Sequence, residues 1–175
     1  MNPTALVLLV LVQSTQIPKT PAKDLFLHFL KAPGIEVRFV DYHWQPALFD
    51  AMEKGTPVPE ARRNWVIARI ILDQRPLTLR GTKVPVGNYA LAWWPNLDGK
   101  GMAIEVRRVD MRIVFPNVNA VAPAPKGETI YKGPAQFETV SPLAERFDAT
   151  LVEEGGTVNL TIRYGDRRLL LPLVR

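Results

Sequence analysis

Apolar and polar residues alternate through many short stretches of this chain, and proline and glycine separate the stretches. From Gly34 to Tyr42, Ile35, Val37 and Phe39 fall on one side and Glu36, Arg38 and Val40 on the other, the two-residue period of a half-buried strand. Asn64 to Leu72 is rich in β-branched and aromatic residues and predicts a buried strand. Leu77 to Arg80 resumes the alternation, and Asn88 to Trp94 predicts a further strand that ends at the Pro95 to Gly99 turn. Met102 to Val109 places Met102, Ile104 and Val106 on one face and Glu105 and Arg107 on the other.

The C-terminal third carries the clearest pattern. Phe147 to Val152, Val158 to Tyr164 and Leu169 to Val174 are separated by turn signals at Glu153 to Gly156 and at Gly165 and Asp166, and together predict an antiparallel meander. Helical spacing is confined to Pro46 to Lys54, where Pro46 suits a first helical position and Gly55 a stop. Asp24 to Lys31 fits either a short helix capped by Asp24 or a first strand, and Pro116 to Lys126 reads as a loop. About eight to ten short strands without intervening helices predict an all-β fold, an antiparallel β-sandwich or jelly roll with one or two short helical segments.

Composition agrees with one such domain. The chain has 175 residues, 47% hydrophobic and 22% charged, enough to bury a core, and its 16 prolines oppose long helices. It contains no cysteine, which excludes disulfides, zinc–thiolate sites, iron–sulfur clusters and cysteine nucleophiles. The net charge of +5 is carried by arginines such as Arg38, Arg63, Arg80, Arg107 and Arg163, scattered among apolar and acidic neighbours. Scatter of this kind reads as a solvated surface, and nucleic acid is not an expected partner.

The eight apolar residues from Ala5 to Val12 are too few to cross a bilayer, which takes about 20 in a helix. Followed by Gln13 to Gln16, they read as an export signal cleaved after Ser14, or as a retained anchor. Residues 1–16 are thus an export segment, 17–33 a linker or short first element and 34–175 the sandwich, with a periplasmic or extracellular location, possible membrane association resting on residues 5–12.

Several of these stretches resemble a known family. Ile35 to Phe39, Leu77 to Leu91, Phe147 to Leu151 and Val158 to Leu173 are similar to the exported bacterial family called domain of unknown function 2911, most specifically in Gly81-Thr-Lys-Val-Pro-Val-Gly-Asn-Tyr-Ala-Leu91. The resemblance spans roughly residues 35–175 and implies an exported β-sandwich, with no activity assigned. Members usually carry a Trp-Arg-x-Gly-x-Asn-Glu run; here Pro59 to Trp65 keeps an arginine and an asparagine but not the glutamate, so if that run builds a polar site in relatives, the resemblance implies that the site is altered or lost in this chain.

No constellation carries recognisable chemistry. His28 and His43 sit in different segments without metal-ligand spacing, and the only serines, Ser14 and Ser141, lie in the export segment and before Pro142. Asp41, Asp50, Glu53, Asp73, Asp110 and Glu138 are the acids available for paired-carboxylate hydrolysis, which requires a separation that sequence does not give. Trp44, Trp65, Trp93 and Trp94 offer ring faces for a sugar or a partner, and Arg62, Arg63 and Asn64 beside Trp65 form a candidate anion corner. The expectation is a non-enzymatic exported module that binds a protein or small molecule through Trp44, Arg63, Asn64, Trp65, Trp93 or Trp94, without metal or cofactor. The alternatives are an accessory subunit of a membrane or envelope complex, held by its N-terminal apolar segment, and an exported carbohydrate-active or other hydrolase.

Overall fold

Each alternating stretch becomes a strand because a second sheet covers its apolar side. The computed structural model describes residues 25–55, 65–95, 101–109 and 127–175. The export segment, Arg62, Arg63, Asn64, Asp110, the Asn96 to Gly99 part of the predicted turn and the predicted 116–126 loop lie outside the described residues. The elements are β1 (Leu27–Ala32), β2 (Ile35–Val40), α1 (Pro46–Glu53), β3 (Trp65–Leu72), β4 (Leu77–Leu79) and β5 (Thr82–Val84), then β6 (Gly87–Pro95), β7 (Met102–Arg108), β8 (Thr129–Pro134), β9 (Phe137–Glu154) and β10 (Thr157–Val174).

They form an antiparallel β-sandwich. One sheet has six strands in the order β1-β2-β3-β6-β7-β8 and the other has four in the order β5-β4-β10-β9. At the two lateral seams β1 lies against β9 and β5 against β8, so the layers approach a flattened barrel. Val37, Phe39, Ile70, Leu91 and Ile104 from the larger sheet meet Phe147, Leu160, Ile162, Leu171 and Leu173 from the smaller. Fully burying each such side chain contributes about 2 kcal/mol, which makes this interior the main stabilising term. A gap beside Leu72, Leu91, Val106, Leu160 and Leu171 measures about 10 Å³, room for one water.

Helix α1 closes one end. Pro46 opens it, Gly55 follows it at φ +67°, and Leu48, Phe49 and Met52 are buried against the sheets. Glu53 at its end pairs with Arg167 of β10 at 3.0 Å.

The segment most specific to the resemblance is a corner. Arg80 and Gly81 both take positive φ, the geometry of a tight hairpin turn between β4 and β5. The Arg80 guanidinium donates to the Pro134 carbonyl at 2.6 Å, tying this turn to the end of β8. The buried Tyr89 donates its hydroxyl to the Pro85 carbonyl at 2.6 Å, so Pro85 to Tyr89 folds onto itself before β6 runs into the sheet.

Four elements differ from the sequence reading. Strands β5 and β8 lie where the pattern predicts no strand, whereas of the two alternatives for Asp24 to Lys31 the strand holds over the described Leu27 to Lys31, within β1. Strand β9 begins ten residues before Phe147. The predicted turn at Gly165 and Asp166 is instead a bulge within one 18-residue strand, β10, where the register against β9 shifts on both sides of Gly165. Glycine is needed there because φ is +64° and the Trp44 ring lies where its Cβ would stand.

Candidate functional site

The tryptophans are divided by the fold. Trp93 is fully buried, its ring 5.4 Å from Phe49, 5.7 Å from Phe137 and 5.8 Å from Phe147 and Tyr164. It is core and offers no ring to a ligand. Trp44 is half-buried, edge-on to Tyr164 at 4.7 Å and tilted on Phe49 at 5.3 Å, and it closes the α1 end of the sandwich. Trp94 is half-buried on the opposite side of β6, with Lys132 Nζ 4.9 Å from its ring centre. The backbone of Trp65 opens β3 opposite Trp93, while Arg63 and Asn64 lie outside the described residues.

A polar cluster that the sequence reading did not assemble sits at the seam of β1 and β9. Asp41, 8% exposed, accepts from the Phe26 amide at 2.6 Å and from the Arg146 guanidinium at 3.1 Å, and His28 Nε2 is 3.4 Å from the same carboxylate. The His28 ring stacks on Phe39 at 5.0 Å. Next to it the Trp44 amide donates to the Glu145 carbonyl at 2.8 Å and the Phe147 amide to the Tyr42 carbonyl at 2.7 Å. A carboxylate so engaged acts as a latch between strands rather than as a base with a free lone pair.

The other candidate acids are dispersed. Glu53 is tied to Arg167 and Glu138 to Arg168, and His43 makes an isolated backbone bridge to Arg146. Among the described residues no three His, Cys, Asp or Glu side chains stand together as a metal site would require. Burial pushes the phenols of Tyr42, Tyr89 and Tyr164 above their usual range, Tyr164 furthest, and Tyr164 donates its hydroxyl to the His43 carbonyl at 2.6 Å.

The outer face of the six-stranded sheet has a composition unlike an ordinary solvated face. Strand register places Phe29, Arg38, Arg69, Ala90, Arg107 and Thr129 in one row across all six strands. Val40, Ala90, Ala92 and Glu105 on this side are only 3%, 6%, 2% and 2% exposed, although they point away from the sandwich core. Arg107 and Thr129 both donate to Glu105, Arg69 donates to Asn88 at 2.9 Å, and Arg38 binds Glu36. The Arg38 hydrogen bond holds the Glu36 carboxyl below its usual range, against the opposing effect of its partial burial. Lys31, Lys132 and Trp94 complete the rim of this face.

Arg38 and Arg107 read as scattered charge in the sequence, and the sheet brings them into one row with Arg69. The signal was present only in part: Val66 and Ile71 make β3 apolar on both sides, as a strand covered on both faces would be. Which arginines face one another is a matter of cross-strand register, which the pattern within a strand does not contain. A scan against protein-family models and searches of the curated proteins and of the solved structures found no match to this chain.

Proposed function

We propose that this chain is an exported, non-enzymatic β-sandwich module, kin to domain of unknown function 2911, that binds a partner through the outer face of its six-stranded sheet. The observation that carries this reading is the row of half-buried Arg38, Arg69 and Arg107, with Trp94 at its edge, packed over the buried Val40, Ala90 and Ala92. Arginine and aromatic side chains around a desolvated apolar centre are the composition that distinguishes interfaces from other surface. The outer side of the opposite sheet mixes Thr150, Asn159 and Thr161 with the exposed Val152, Leu170 and Val174, and on it the Arg163 position faces Asp148 and Arg168 faces Glu138, so its arginines stand opposite acids in place of forming a row. Five bases, Lys31, Arg38, Arg69, Arg107 and Lys132, stand against Glu36 and Glu105 on the proposed face, so its partner is anionic there.

Hydroxyl-radical footprinting of the protein in envelope preparations of its host, against the purified protein, tests the reading. Oxidation of Ile71 and Trp94 falls in the envelope sample while that of Val152, Leu170 and Val174, exposed on the other sheet, is unchanged. Protection confined to Val152, Leu170 and Val174, or equal on both sheets, overturns it.

A further inference from the structure

We infer that the β1 end of the same face, formed by Phe26, Leu27 and Phe29, rests on an anionic lipid bilayer; this names the partner of the proposed face and rests on that reading. These three bulky apolar side chains are 60%, 46% and 53% exposed within four consecutive residues, the densest such group among the described residues. Leu27 and Phe29 alternate onto the outer face of the sheet, beside Val40 and Arg38. Phe26 is held in place by two backbone hydrogen bonds with Asp41, its amide donating to the carboxylate and its carbonyl accepting from the Asp41 amide at 3.2 Å. Water gains nothing from a rigid display of this kind, whereas the headgroup layer of a membrane accommodates aromatic rings readily.

The charges around the patch suit phosphate headgroups. Lys31 is 72% exposed on the same side of β1 as Phe29, and the Arg38 guanidinium lies 5.3 Å from the Phe29 ring centre. Long basic side chains beside buried rings reach phosphates while their stems cover apolar surface. The nearby acids Glu36 and Asp41 are engaged, Glu36 by Lys31 and Arg38 and Asp41 by Arg146, and the sequence just upstream adds Lys19 and Lys23 against Asp24.

Where Ala5 to Val12 is retained as an anchor and not cleaved, it gives the chain a second, weak attachment. Ala5 to Val12 is too short to span a bilayer. One short apolar segment binds membranes marginally, and two attachments together hold. No helix among the described residues is long and apolar enough to cross a membrane.

The full chain is co-sedimented with vesicles of phosphatidylglycerol and phosphatidylcholine, and with vesicles of phosphatidylcholine alone. Binding is expected to the first and about tenfold weaker to the second, and to fall with added salt. The combined Phe26→Ser, Leu27→Ser and Phe29→Ser variant binds about tenfold less than wild type, and Leu8→Ser with Leu9→Ser weakens binding separately. Where the triple variant loses its thermal transition, Phe29→Ser and Lys31→Glu singly carry the test, each expected to weaken binding. Wild-type binding by the patch variants, equal binding to both vesicle types, or self-association through the patch without vesicle binding overturns the inference. Failure here with Ile71 and Trp94 still protected in envelope preparations removes the lipid partner and leaves the proposed face standing.

Discussion

Gly165 and Trp44 form a contact in which each residue explains the other. The bulge turns β10 with Gly165 at φ +64°, and the absent side chain is where the Trp44 ring lies. Gly165→Ala therefore adds both left-handed strain and overlap with Cε2, Cδ2 and Cζ2 of Trp44, and is expected to destabilise the fold by about 3 kcal/mol in urea unfolding. Trp44→Ala in the same chain should recover part of that loss, because the overlap then disappears. Tyr164, under Trp44, carries the strongest burial effect on a phenol. The folded chain holds this proton more tightly than the unfolded chain, so the contribution is complete below the ordinary tyrosine value of about 10 and is lost as pH rises beyond it. Tyr164→Phe is expected to cost about 1 kcal/mol at neutral pH through the lost bond to the His43 carbonyl. It should also flatten the alkaline decline in the urea midpoint, and an unchanged decline would show that Tyr164 does not drive it. None of this was legible in the sequence, where Gly165 and Asp166 have the composition of a turn and Trp44 that of a ligand platform.

Strands differ in how plainly the sequence announces them, and the difference follows burial. β2 and β7 bury one full side against the core and alternate along the sequence, while β6, buried on both sides from Tyr89 to Trp93, announces itself as a continuous apolar run. β8 carries glycine and proline with only half-buried Ile130 and Tyr131, and the first half of β9 is largely exposed, so neither leaves a strong apolar period. β1 is similar, because as an edge strand its residues are exposed or only half-buried on both sides. What fixes β1 is the Asp41 latch at the seam with β9. Asp41→Ala removes the acceptor shared by the Phe26 amide and the Arg146 guanidinium, with an expected cost of about 2 kcal/mol. The accompanying signature is faster hydrogen exchange across Leu27–Ala32, while the amides of β10 keep their protection. Equal acceleration in both strands would mean that Asp41 supports the whole sandwich and not β1 in particular.

At the scale of the molecule, the sandwich class was legible because so many short alternating stretches have only one economical arrangement, two facing sheets. The face that distinguishes this sandwich was not legible, since Phe29, Arg38, Arg69 and Arg107 come from four strands and meet only through register. Their row lies over the buried Val40, Ala90 and Ala92 on the side away from the core, whereas the outer side of the opposite sheet sets Arg163 against Asp148 and Arg168 against Glu138 and exposes Val152, Leu170 and Val174 singly. A photo-crosslinking residue placed at Ile71 on the outer face of β3, compared with one at Thr161 on the outer face of β10, addresses this difference in the native host. Adducts are predicted from position 71 and not from position 161. Adducts from 161 alone, or none from 71 while the protein remains folded, would contradict a recognition surface on the six-stranded sheet.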